Sequence, residues 1–192
     1  MEKAGKLVVF EGIDGCGKET QIALLKEKLG AIVFKYPTRN NKKLNDYLEK
    51  KLSIAPKELF HLFLSDIKED QKNLVEALKK NKYVILDRYA FSTIAYELDV
   101  FSYEEAKQIV ASASLLKPDV VILLDIDEKT SQERKSKQKQ LDRYEENANY
   151  LKKVRGIFLK LFEERFLTPT WHKVDARKDI ASVQADIMKL FE

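Results

Sequence analysis

The sequence predicts an α/β protein: a doubly wound, parallel, five-stranded sheet with helices on both faces. Three observations carry this expectation. Short apolar runs alternate with amphipathic stretches along the 192 residues. The runs are continuous and rich in Val, Ile and Leu, the pattern of strands covered on both sides. A glycine-rich string follows the first run and precedes the first amphipathic stretch, the setting of a phosphate-binding turn.

The elements follow in order. Lys6–Phe10 (KLVVF) is the first strand. Lys18–Leu29 has helical spacing at Ile22, Leu25 and Leu29. Ala31–Tyr36 is the second strand. Pro56–Lys80 reads as one long amphipathic helix with Pro56 in its first turn. Tyr83–Leu86 and Val120–Leu124 are the third and fourth strands. Asn147–Phe166 has helical spacing at Tyr150, Leu151, Val154, Phe158, Leu161 and Phe162. Trp171–Val174 is a weaker fifth strand, and Ile180–Phe191 closes the chain as a helix. Arg134–Arg143 (RKSKQKQLDR) is basic and nearly free of apolar residues, and its composition alone suits a solvated surface loop. With no internal repeat, low-complexity block or linker, residues 1–192 are expected to form one domain.

Composition narrows the function. At 44% hydrophobic residues the chain can build a core. Lys and Arg number 35 against 31 Asp and Glu, a net charge of +4 that is too mild to call for nucleic acid. No apolar run approaches the roughly 18 residues of a membrane helix, and no apolar signal region opens the chain. A cytoplasmic protein with no membrane partner is therefore expected. Cys16 is the only cysteine, which excludes an internal disulfide and a cysteine-built zinc site.

The strongest chemical signal is Gly12-Ile13-Asp14-Gly15-Cys16-Gly17-Lys18, with the spacing G-x-x-x-x-G-K. Glycines let the backbone wrap so that successive N–H groups face phosphate oxygens. The helix starting near Lys18 adds its positive dipole end, and Lys18 reaches the β- and γ-phosphates. The expected ATP-binding set is Gly12, Ile13, Asp14, Gly15, Cys16, Gly17, Lys18, Glu19 and Thr20. Glu19 departs from the pattern, which places Ser or Thr after the lysine as a Mg²⁺ ligand. Its carboxylate either joins the metal site or turns outward as a first-turn helix acid. Cys16 is read as a small filler, with neither His61 nor His172 near it in sequence to act as a base.

Ligands of α/β sheets bind at the carboxyl ends of strands. The third strand ends in Asp87-Arg88-Tyr89, followed by Ser92, Ala95 and Tyr96, and the second in Pro37-Thr38-Arg39. Two arginines thus approach one crevice. The N-K-x-D string of GTPases is missing, since Asn81-Lys82-Tyr83-Val84 lacks the acid.

These residues resemble thymidylate kinase, of the P-loop nucleoside monophosphate kinases. Phe10-Glu11-Gly12-Ile13-Asp14-Gly15 is similar to the family's loop opening. Asp87-Arg88-Tyr89 through Ala95-Tyr96 resembles its D-R-Y-x-x-S-x-x-A-Y motif. Leu141-Asp142-Arg143-Tyr144-Glu145 looks like the end of its lid, and Val174-Asp175-Ala176 like the segment bordering adenine. The resemblance implies a P-loop NTPase fold with a lid at about 134–143, and Mg²⁺-dependent transfer from ATP to dTMP within a homodimer. It implies that Arg39 and Arg88 bind the acceptor phosphate. Asp14 contacts the acceptor sugar, and Ser92 lies in the acceptor site. Phe63 stacks on thymine, and Tyr96 packs under the deoxyribose. Asp87, with Glu19, supports the metal. Arg134 and Ala176 belong to the ATP side. With no arginine inside the phosphate loop, Arg143 of the lid is the implied catalytic arginine beside Asp14, Lys18, Arg39 and Arg88.

Ile67 is the second departure. The family usually carries an arginine there, four residues after the stacking Phe, to bind the thymine edge. Tolerance of other pyrimidines follows, with Ser65, Lys68 and Thr93 as polar substitutes. The alternatives are a kinase of another pyrimidine (deoxy)nucleoside monophosphate, a deoxynucleoside kinase, or a non-catalytic nucleotide-binding module disabled by Glu19.

Overall fold

A computed structural model describes residues 5–97, 100–136 and 148–192. Five strands form one parallel sheet: β1 (Lys6–Glu11), β2 (Ile32–Lys35), β3 (Tyr83–Asp87), β4 (Val120–Asp125) and β5 (Trp171–Asp175). Their spatial order is β2-β3-β1-β4-β5. Each expected strand is present, with no end displaced by more than one residue. Leu7–Glu11 of β1 and every residue of β3 are buried, which explains their uninterrupted apolar sequence. In register, Phe10 lies beside Asp87 on one flank and Ile122 on the other.

The path from β1 to β2 runs one way along the sheet, and those from β2 to β5 run the other. Right-handed crossovers then place α1 (Lys18–Leu29) on the opposite face from the helices of the later crossovers. The closing helix α9 (Ile180–Met188) packs against α1. Because chain paths diverge at β1 and β3, a crevice opens at their carboxyl ends, where both nucleotide motifs lie.

The expected helix at Pro56–Lys80 is two helices, α3 (Pro56–Glu69) and α4 (Gln71–Lys80). They break at Asp70, whose buried carboxylate accepts from the Tyr36 hydroxyl (2.9 Å) and from Asn73 Nδ2 (2.6 Å). Side-chain bonds of this kind compete with helix continuation, and apolar spacing alone carries no trace of them.

Further helices were not expected. α2 (Lys42–Leu48) is capped by Asn41, which accepts from Leu44 N–H. α5 (Ala90–Tyr96) follows the D-R-Y segment directly. α6 (Tyr103–Ser112) opens on a Ser102/Glu105 capping box, a signal present in the sequence as S-x-x-E. α7 (Glu128–Ser136) is too polar to show an apolar stripe. Arg134 and Lys135 therefore lie in a helix rather than in a surface loop. Residues 137–147, with Arg143 and the rest of the expected lid, lie outside the described residues. α8 (Ala148–Glu163) packs on β4, β5 and α5. No helix among the described residues is long and apolar enough to cross a membrane.

Candidate active site

The phosphate loop joins β1 to α1. Gly12 has φ 142°, and a Cβ there would sit 2.5 Å from Leu124 O, so both conformation and space require glycine. Gly17 caps α1 in the left-handed region (φ 92°) with no side-chain bond to the helix, leaving its first N–H groups free to face an anion. Lys18 is buried beneath the loop, its Nζ donating to Gly12 O (2.9 Å) and Ile13 O (3.3 Å). Cys16 is buried 3.5 Å from the same Nζ, as expected of a filler. Ser131 of α7 supports the loop from outside, its hydroxyl donating to Asp14 O (2.7 Å).

Opposite lies the end of β3. Arg88 adopts a left-handed backbone (φ 70°) and its N–H donates to Phe10 O (3.0 Å). Its guanidinium pairs with Asp14, donates to Ser92 Oγ (3.0 Å) and lies 4.9 Å over the Tyr96 ring. Burial opposes ionisation of Asp14, but the Arg88, Lys18 and Lys135 charges outweigh it and hold its carboxyl below the usual range. Asp14, Arg88, Ser92 and Tyr96, all expected on the acceptor side, thus form one contact network.

Glu11 anchors that network. Fully buried, it accepts from Tyr89 N–H (2.8 Å), Ser92 N–H (3.3 Å) and Ser92 Oγ (2.6 Å). Burial pushes its carboxyl up to about 7 despite these donors and the nearby Arg88 and Lys18 charges. Asp66 of α3 performs a similar task for the turn carrying Arg39, accepting from Thr38 N–H (2.7 Å) and Thr38 Oγ1 (2.5 Å). Arg39 is exposed, also left-handed (φ 67°), and lines the crevice.

Glu19 and Asp87 meet through Lys35. Lys35 Nζ pairs with Glu19 and lies 3.3 Å from Asp87 Oδ2. Glu19 is 79% exposed and Asp87 only 7%. The hydrogen bond from Lys35 lowers the Glu19 carboxyl from its ordinary value. Glu19 therefore turns toward the crevice mouth, where it and Asp87 share one ammonium. Thr20 also lines the crevice. Arg134 bridges Gly15 O (3.4 Å) and Ala176 O (2.9 Å), bringing both residues expected on the ATP side against the loop.

The crevice encloses about 890 Å³ and runs from Ala176 and Ile180 past the loop to Phe63, Ile67 and Glu97. Of the polar residues expected near Ile67, Thr93 lines it, while Ser65 and Lys68 do not. Two basic ends, one at the loop with Lys18 and one at Arg88 and Arg39, face a common space. That geometry suits transfer between two nucleotides.

The family model for thymidylate kinase matches residues 10–187. The chain belongs to the thymidylate kinase family. A probable thymidylate kinase of Archaeoglobus fulgidus is 35% identical, covering 97% of this chain and 94% of its own. One from Methanocaldococcus jannaschii is 38% identical over 82% of this chain and 81% of its own. The solved thymidylate kinase of Candida albicans superposes with a TM-score of 0.83 at 26% identity, covering all of this chain and 92% of that one. The thymidylate kinase fold and its phosphotransferase activity, phosphorylation of dTMP, are therefore those of this chain.

Sequence reasoning missed Glu11 as a positioning residue, Asp66, Lys35, Ser131 and Glu97. Glu11 and Asp66 act on residues 78 and 28 positions away, and no local spacing announces such partners.

Proposed function

We propose that the chain transfers the γ-phosphoryl group of ATP to dTMP, with ATP on the phosphate loop and Arg134 and dTMP at Arg88, Arg39 and Phe63. The observation that carries this reading is the Arg88–Asp14–Tyr96 cluster facing Lys18 across one crevice. The nucleophile is a phosphate oxygen, ionised at neutral pH, so no general base is needed. The obstacle is the approach of two anions, and catalysis consists of positioning and charge neutralisation.

Lys18 releases its loop carbonyls to follow the transferring phosphoryl. Arg88 and Arg39 neutralise the acceptor phosphate. Asp14 is read as fixing the Arg88 guanidinium and meeting the acceptor sugar. Asp87 and Glu19 offer oxygen donors suited to Mg²⁺, which takes few protein carboxylates and completes its shell with phosphates and water. Bound there with ATP, Mg²⁺ supplies charge neutralisation across the phosphates. Lys35, which now pairs with both carboxylates, would have to give way for them to hold such an ion. The 134–143 segment, with Arg143, is proposed to exclude water and complete the charge cage. The family resemblance also supports a cytoplasmic homodimer without nucleic-acid or membrane partners.

Ile67 is buried on the crevice wall and offers no hydrogen bond to a base. Broad substrate specificity is attributed to the Candida albicans relative, and we propose pyrimidine tolerance here. Coupled ADP release over dTMP, dUMP, dCMP and thymidine tests the reading. Activity on dTMP and none on thymidine, which brings no phosphate to Arg88, is the expected result. Equal turnover of thymidine overturns the acceptor assignment.

A further inference from the structure

Tyr96 is the last residue of α5, a helix of only seven residues. Its carbonyl is one of the terminal groups that no intrahelical N–H reaches. The hydroxyl of Tyr150, in the first turn of α8, donates to that carbonyl. The two tyrosine rings lie 6.4 Å apart at 59°. Phe158, about two turns further along α8, meets the Tyr96 ring edge-on at 6.2 Å and 73°. Aromatic pairs at such separations and angles attract. α8 therefore holds Tyr96 twice, by its backbone and by its ring.

Two further contacts of Tyr96 belong to the acceptor site. The Arg88 guanidinium lies 4.9 Å over its ring, and Arg88 Nη2 donates to its hydroxyl (3.4 Å). A nucleotide whose 5′-phosphate binds Arg88 carries its sugar directly behind that phosphate. Tyr96 lines the same crevice beside Arg88, so its ring is the surface the sugar meets. The position of the ring decides how closely C2′ can approach. A hydroxyl on C2′, pressed against a ring, loses water and gains no partner. A ring held close thus favours deoxyribose.

We infer that Tyr150 is a positioning residue for sugar selection, holding Tyr96 from α8 so that its ring stays against C2′ of the acceptor. The inference rests on the dTMP reading and adds the residue that fixes the sugar contact. Tyr150 is not among the residues lining the crevice, so it acts through Tyr96. Its hydroxyl carries the effect. Without it, water can satisfy the Tyr96 carbonyl, and the end of α5 is free to shift away from the sugar. An apolar wall rejects an added hydroxyl by about 10²-fold at most, and a loosened wall by less.

The test compares wild type, Tyr150→Phe and Tyr150→Leu on dTMP and on ribothymidine 5′-monophosphate, which share a base and differ at C2′. Thermal melting of each protein accompanies the kinetics. Tyr150→Phe keeps the ring and removes only the hydroxyl. Its preference for dTMP, as a ratio of kcat/KM values, should fall by about tenfold, with ATP KM unchanged. Tyr150→Leu, which also loses the ring contact, should lower the preference at least as far. An unchanged preference in Tyr150→Phe overturns the inference. So does a wild type that uses the two acceptors equally. A fall in Tm with an equal loss on both acceptors, the signature of a merely structural residue, overturns it as well. A wild type inactive on dTMP would overturn the kinase reading instead, a separate outcome.

Discussion

Arg88 holds a left-handed backbone that costs a non-glycine residue on the order of 1 kcal/mol, and three contacts impose it. Its N–H is tied to Phe10 O, and its guanidinium to Asp14 and Ser92. The conformation aims the charge into the crevice rather than along the strand. Arg88→Ala should lower kcat/KM for dTMP by at least ~10²-fold, the effect of losing a charge-assisted contact at a reacting phosphate. ATP affinity, measured by titration without acceptor, should remain. The converse, lost ATP affinity with intact acceptor binding, places Arg88 on the wrong nucleotide. At the neighbouring base site, dTMP and dUMP differ by one methyl group, worth ~1 kcal/mol or ~10-fold. Side-by-side kcat/KM values should show measurable dUMP activity with dTMP preferred. Rejection of dUMP by more than about three powers of ten exceeds what a methyl contact supplies.

Two inter-element ties shape the site. Glu11 binds the end of β1 to the start of α5 through Tyr89 and Ser92. Its carboxyl is raised from an ordinary value of 4.5 to about 7, so the folded state holds its proton more tightly than the unfolded chain. The stability this confers is full below pH 4.5 and is lost as pH rises through 7. Glu11→Gln cannot titrate and lacks that contribution. Denaturant melts at pH 5 and pH 7.5 should therefore show wild type losing more stability across the interval than the variant. An identical change in both proteins contradicts the assignment. The second tie is Arg134, which clamps the phosphate loop to the turn after β5. Arg134→Ala should raise the ATP KM by ~10-fold, in line with losing charged hydrogen bonds. Arg143→Ala should lower kcat more than either KM, because an arginine contact of this kind strengthens in the transition state. If Arg143→Ala turns over normally, Arg134 becomes the candidate for that role.

On the scale of the molecule, the sheet was legible because its strands are buried on both faces and write continuous apolar runs such as Leu7–Phe10 and Val121–Leu124. The phosphate loop and the D-R-Y segment were legible because each is local, its function set by consecutive backbone positions. Asp70 was not, since its partner Tyr36 lies 34 residues away and the break it makes leaves the helical spacing intact. The polar helix α7 escaped for want of an apolar stripe, and with it the tie from Arg134 to Ala176. Glu97 stood next to a quoted motif, yet only folding brings it into the lining of the same crevice as Ile67. Residues that line the candidate crevice were largely visible, and residues that position them through distant partners were not.

Phosphoryl transfer between two nucleotides in one crevice is the central claim about this molecule. Product analysis of the purified chain with ATP, Mg²⁺ and dTMP tests it most directly. One dTDP should form for each ADP, and omitting dTMP should reduce ADP formation by at least ~10²-fold, as water exclusion in a closing kinase requires. ADP release that continues without dTMP, or that yields no dTDP, would contradict it.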